Sequence, residues 1–172
     1  MAALADRIAV AEGADRLVVR AAALLHDVAR MESDHHLRSA EQARTLLRGY
    51  PPEFVEAVAH AIEAHRFRHG PEPKTLEAQC LFDADKLDAI GAIGIARAFA
   101  YAGRANQRLW APLETAASDS DTEHTPVHEF AQKLSRLRDL LYTRTAREIA
   151  AERHEFMLAF FRRLEEEVQG LA

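Results

Sequence analysis

An all-α fold, a compact single-domain helical bundle of about seven helices, is predicted by three observations. Apolar residues recur three and four positions apart through most of the chain. No run alternates apolar and polar residues as a half-buried strand does. Helix-capping and helix-stopping residues punctuate the pattern at the spacing of ordinary globular helices.

The elements follow in order. Residues 3–12 form a short helix that Gly13 ends. Asp15 caps a second, central helix running to about residue 30. Residues 31–36 are a polar connection, in which Ser33 or Asp34 can cap a third helix with Ala40, Ala43, Leu46 and Leu47 on its apolar face. Gly49 closes it, and Pro51-Pro52 opens a fourth. Val55, Val58, Ala59 and Ile62 form the stripe of that helix, which ends near residue 67; residues 69–73 are a turn. Thr75 caps a long helix over about 76–101, where Gly91 and Gly94 suit a close helix crossing. Residues 103–125 carry the weakest signal. Within them 111–125 is expected to be a mobile loop, an insertion rather than a lid, because 118–123 are acidic and polar. Thr125-Pro126 starts a helix to about residue 142, and a last amphipathic helix starts near Thr145.

The central helix organises the chemistry. Leu17, Val18, Ala21, Leu24, Leu25 and Val28 form one apolar stripe, with Val19 and Ala22 on the far side and His26 between them. An almost wholly apolar helix is a buried one. His26 is then a polar ring in a buried sector, and a buried polar group must be paired. Asp27 follows directly. An imidazole and a carboxylate together suit a divalent cation with mixed nitrogen and oxygen ligands. On the long helix, Asp85 and Asp88 fall inside a stripe of Leu81, Ala92, Ala96 and Phe99, while Asp83 and Lys86 fall on the polar side as a pair. A carboxylate in an apolar sector needs a strong partner.

Composition narrows the classes. Of 172 residues, 48% are hydrophobic and 28% charged, and the formal charge is −5. That charge leaves no broad basic surface for extended nucleic acid or an anionic membrane. No apolar run reaches the length of a membrane span. The start of the chain, with Asp6 and Arg7, does not read as a signal peptide. A lone Cys80 excludes an internal disulfide and fits a reducing cytoplasm.

Four blocks carry a family resemblance. They are Ala22-Ala23-Leu24-Leu25-His26-Asp27-Val28-Ala29-Arg30; residues 60–67 with His60 and His65; residues 83–97 with Asp83, Asp85, Lys86, Asp88 and Arg97; and Glu152-Arg153-His154-Glu155-Phe156-Met157. In this order they resemble the HD-domain superfamily of metal-dependent phosphohydrolases, in particular a bacterial branch of small stand-alone HD proteins, some similar to nucleotide pyrophosphohydrolases. The resemblance covers nearly the whole chain. It implies a divalent metal held by His26, Asp27 and Asp85, proton transfer or charge stabilisation by His60 and His65, and phosphate binding by Arg30 and Lys86. It implies a nucleotide or related phosphate ester or anhydride as substrate. With two oxygen ligands and one nitrogen, Mn²⁺ or Mg²⁺ fits best, and Fe, Ni or Zn can be accommodated. The family's first metal-binding His, which precedes the stretch matching Leu4 to Ala9, has no counterpart here. His36, His60 or His65 can supply a further contact. The alternative is an HD module that binds metal or nucleotide without turnover.

Plainer readings stand beside these. His26 and Asp27 can simply satisfy each other. His60 and His65, five apart, project about 140° from one another on an ideal helix, so either both face the cleft or one is core and one surface. Asp88 either orients a group at the site or caps. His154 is read as packing, and His35, His69, His124 and His128 as surface. Tyr101 and Trp110 flank the irregular region as loop anchors.

Overall fold

The structure, a computed structural model, describes residues 1–66, 70–113 and 124–171. It is all-α among the described residues, with eight α-helices and a 3-10 helix. They are α1 (Ala2–Glu12), α2 (Arg16–Leu25), α3 (His35–Leu46), α4 (Pro52–Glu63), α5 (Leu76–Asp88), α6 (Gly91–Arg104), α7 (Pro126–Gln132), the 3-10 helix Leu134–Leu140, and α8 (Arg144–Val168). Most of the expected loop, residues 114–123, and His69 of the expected turn lie outside the described residues. No helix among the described residues is long and apolar enough to cross a membrane. The chain forms two compact units, one of Met1–Lys86 with Leu141–Arg147, the other of Leu87–Leu140 with Glu148–Ala172.

In the first unit, α2 packs against α1, α3 and α4, and α3 against α4. Asp15 caps α2 as expected, accepting from the N–H groups of Leu17 at 2.8 Å and Val18 at 3.3 Å. The buried face of α2 is not the expected one. Val18, Val19, Ala22 and Ala23 are buried, whereas Leu17 and Leu24 are 69% and 71% exposed. A helix apolar on both sides gives its period no power to choose a face. The alanine face wins because small residues let α1 and α4 approach closely, with Ala5, Ala9 and Ala59 also fully buried. α2 also stops at Leu25, five residues early, and His26 is its C-cap. Arg44 of α3 braces α4, donating to Glu56 at 2.9 Å and Glu63 at 2.9 Å. α4 ends at Glu63, short of the expected residue 67.

Asp83, expected on the polar side beside Lys86, is fully buried. Its carboxylate accepts from Tyr142 N–H at 2.9 Å, and from the N–H and hydroxyl of Thr143 at 2.7 Å each. Thr143 Oγ1 in turn accepts from Ala146 N–H, capping α8. Glu12 of α1 accepts from Thr145 N–H at 2.7 Å. Glu12 thus satisfies an N–H that the first turn of α8 leaves free, while Asp83 holds the two residues that lead into the helix. Burial pushes the Asp83 carboxyl up, against the pull of its three hydrogen bonds.

In the second unit the expected long helix is broken. α5 ends at Asp88 and α6 restarts at Gly91, whose φ of +79° no helix can continue. A Cβ on Gly91 would lie 2.9 Å from Arg153 Cγ, and one on Gly94 would overlap the Ala89 carbonyl. The glycines therefore serve a break, and Gly91 also admits the Arg153 stem. Periodicity alone misses a two-residue interruption, because apolar positions resume in phase. The expected helix from residue 126 also divides, into α7 and the 3-10 helix. The rings of Phe99, Phe130, Phe160 and Phe161 cluster, Phe130 stacking on Phe161 at 4.3 Å. Trp110 donates to Glu165 at 2.7 Å, the anchoring role expected of it. His128, expected at the surface, is fully buried. Its Nδ1 accepts from Thr125 N–H and its Nε2 donates to the Pro112 carbonyl at 3.0 Å. His154 is buried, as expected of a packing residue.

The break predicts opposite outcomes at two glycines. Gly91→Ala should destabilise the protein by about 1–3 kcal/mol, the cost of a left-handed alanine. Gly103→Ala, on an exposed stretch of α6 with open space at the Cβ position, should be neutral or stabilising by about 0.5 kcal/mol. Chemical denaturation of both variants checks this.

Candidate functional site

The first unit gathers three imidazoles around one carboxylate, each delivered by a helix end. His26 closes α2, with its N–H bonded to the Ala22 carbonyl at 2.8 Å. The chain then leaves the helix in short turns, Val28 N–H to Leu25 and Arg30 N–H to Asp27. Asp27 sits on the first of them. The buried hydroxyl of Ser39 in α3 accepts from Ala29 N–H at 3.2 Å and fixes this turn. Asp34, with φ +54°, redirects the chain into α3, so His35 opens that helix. His65 lies just past the end of α4, its N–H on the Ile62 carbonyl.

All three rings present Nε2 to Asp27. His26 Nε2 is 3.7 Å from Oδ2, His35 Nε2 is 3.7 Å from Oδ1, and His65 Nε2 is 3.9 Å from Oδ1. The His65 ring centroid lies 5.2 Å from that of His26 and 5.3 Å from that of His35. The ring orientations are fixed from behind. His26 Nδ1 donates to the Ala23 carbonyl at 2.9 Å, and His65 Nδ1 to the Ile62 carbonyl at 2.5 Å. Neutral rings so bonded carry the proton on Nδ1 and turn the Nε2 lone pair toward Asp27. Both hydrogen bonds are made at helix C-termini, where free carbonyls favour positive charge.

The Nε2-to-carboxylate separations are too long for hydrogen bonds. They match the roughly 3–4 Å between two donors that share an ion at about 2.1 Å from each. One donor atom each from Asp27, His35 and His65 lies within 4.8 Å of the other two. Burial depresses the His65 pKa to about 4, so this ring is neutral, as a metal ligand must be. Around Asp85, burial pushes the carboxyl up, but the Lys86 ammonium, His65 and His26 outweigh it and hold the pKa below its usual value. The donor set therefore fits a divalent cation.

The other expected residues are placed as follows. Asp85 lies near His65 and His26, and it pairs with Lys86 Nζ at 2.6 Å. Arg30 Nη1 is 3.3 Å from Asp27 Oδ2, and the guanidinium is exposed. His60 Nε2 accepts from Lys74 N–H at 3.4 Å. His36 is buried, its ring 6.0 Å from that of His35. Asp88 pairs with Arg97 at 3.1 Å in the second unit. His35 is the residue that sequence reasoning missed, having been read as surface. The available signal was the short connection after Asp27, which leaves the start of α3 little room to depart from the end of α2.

The low pKa of His65 carries a pH signature. The unfolded imidazole takes its proton near pH 6.5, the folded one only near pH 4. Between these values the unfolded state binds more protons, so stability falls as pH drops from 6.5 to 4. The loss should approach roughly 3 kcal/mol. His65→Gln should flatten this part of the profile, as measured by urea unfolding of the metal-free protein at several pH values.

The chain is similar to known proteins over nearly its whole length. The HD domain family model matches residues 1–90, which contain the whole cluster. The Bacillus subtilis strain 168 protein YpgQ, described as uncharacterized, is 38% identical over 178 residues, spanning 99% of this chain and 82% of its own. Its crystal structure superposes with a TM-score of 0.80 at 37% identity, over 99% of this chain and 86% of that one. YpgQ has also been solved in complex with ADP, with a TM-score of 0.76 at 36% identity, over 99% and 87% of the two chains. An HD-superfamily hydrolase from Bacillus thuringiensis gives a TM-score of 0.79 at 31% identity, over 98% and 82%. With the family model and these relatives in agreement, the chain belongs to the HD domain family.

Proposed function

We propose that the protein is a metal-dependent phosphohydrolase acting on a nucleotide. The observation that carries this reading is the convergence of three imidazole Nε2 atoms on the Asp27 carboxylate, at separations suited to a shared ion. His26, Asp27 and Asp85 would hold a divalent cation, with His35 and His65 alongside, and Mn²⁺ or Mg²⁺ suits the oxygen-containing set. When bound, such an ion polarises a phosphoryl oxygen and lowers the pKa of a water. The side chains do the rest. Arg30, exposed and at the edge of the cluster, can swing from Asp27 to a phosphate oxygen. His65, held neutral by burial and with its Nδ1 proton committed to the Ile62 carbonyl, offers its single Nε2 lone pair to the cation site. Water adds to phosphorus as the bond to the leaving oxygen breaks, and the proton that the water gives up passes through solvent to that leaving oxygen. His60, bonded to the 74 backbone, is assigned no step. The nucleotide class is supported by the ADP complex of the Bacillus subtilis relative.

Phosphate and pyrophosphate release from a panel of nucleoside mono-, di- and triphosphates, with Mn²⁺, Mg²⁺, Ni²⁺ or EDTA, tests the reading. Turnover is expected with a divalent ion only. Equal turnover in EDTA would overturn it, and binding of metal and nucleotide with no turnover would leave a non-catalytic module. Asp27→Asn should lower metal affinity by more than the roughly 10–100-fold typical of residues behind the ligands. Metal should raise the melting temperature of the wild type and not that of Asp85→Ala. Without metal, Asp85→Ala should destabilise the protein, because it removes the carboxylate partner of the largely buried Lys86 ammonium.

A further inference from the structure

Lys86 is a largely buried cation beside the cluster. Its side chain is 12% exposed. Nζ donates to Asp85 Oδ2 at 2.6 Å and to the His65 backbone carbonyl at 2.9 Å. It also stands 4.7 Å over the ring of Phe82, one turn earlier on α5. That ring is itself held edge-on by Tyr142 at 5.2 Å. An ammonium has three N–H groups; two are committed to oxygen and the remaining side faces the ring.

We propose that Lys86 is a positioning residue that sets the distance between Asp85 on α5 and the His65 turn at the end of α4. The proposal rests on the reading of this cluster as a cation site. The His65 carbonyl lies past the last turn of α4, where a carbonyl has no helical partner and a cation is a favourable one. The carbonyl cannot shift without carrying its own imidazole, because the His65 ring is locked to the Ile62 carbonyl of the same turn. One ammonium therefore ties a carboxylate oxygen to an imidazole Nε2 through rigid links. Arg30 differs in kind: its side chain is 68% exposed and its guanidinium contacts Asp27. Of the two cations, Arg30 is free to meet a phosphate, whereas Lys86 would have to leave Asp85 and His65 to do so.

The sign of one measurement separates positioning from the other roles. If Lys86 merely competes with a cation for Asp85, Lys86→Met should tighten Mn²⁺ binding. If it contacts only substrate, Mn²⁺ affinity should not change and the effect should fall on KM. If it positions Asp85 and His65, Mn²⁺ affinity should fall at least tenfold by calorimetry, as for other groups that orient ligands. The His65 ring ¹⁵N resonances should then shift in the metal-free protein, while those of His60 stay in place. Lys86→Arg, which keeps charge and donors, should restore both readouts in large part. Equal or tighter Mn²⁺ binding by Lys86→Met, with unmoved His65 resonances, overturns the proposal. A wild type that binds no Mn²⁺ would defeat the cation-site reading, yet the His65 resonances of the metal-free variants would still decide what Lys86 does. Should Lys86→Met fail to fold, Lys86→Gln is measured in its place with the same expectations.

Discussion

Three imidazoles can surround one carboxylate only because three helices end beside it. A helix interior turns each side chain about 100° from the last and spreads neighbours around a cylinder. A helix end releases the chain and lets adjacent residues converge. α2 stops at Leu25, and that stop places His26 and Asp27 on one side. α3 opens at His35 and α4 closes before His65. The hydrogen bonds from the His26 and His65 rings to carbonyls three residues back are made at final turns, where the helical ladder stops. Extending α2 to residue 30 would dissolve the arrangement.

The sequence made the all-α class legible through its period, and it made His26, Asp27, Asp85 and His65 stand out. The helix boundaries near the site were less legible. Apolar residues continue past Leu25 to Val28, so the pattern runs on while the backbone turns. The same blindness hid the break at Gly91, since Ile95 and Ala98 keep the phase of Leu87. The face of α2 was misjudged because both its sides are apolar, and only the neighbours' small residues decide between them. His35 was missed because its partner, Asp27, lies across a turn and no pattern along one helix records that; His128 was missed although it stands three residues after Thr125, the spacing of a reciprocal helix cap.

Asp83 and Asp85 show how little two positions of separation fix. Both belong to the same helix and the same sequence block. Asp83 accepts from the backbone N–H groups of Tyr142 and Thr143, and these hydrogen bonds hold the approach to α8. Asp85 faces an ammonium and imidazoles, all groups that attract or exchange charge. The turn of the helix sends one carboxylate to hold the fold and the other to the site.

The caps on α8 also order events during synthesis. Residues 141–147 belong to the first unit although residues 87–140 separate them from it along the chain. Until Tyr142 and Thr143 leave the ribosome, the Asp83 carboxylate has none of the three donors it will be buried against. Glu12 likewise waits for Thr145. The helices that carry the His-Asp cluster are therefore all made well before the unit holding them can seal, and a nascent chain paused short of residue 141 presents an open core with a charged carboxylate at its edge.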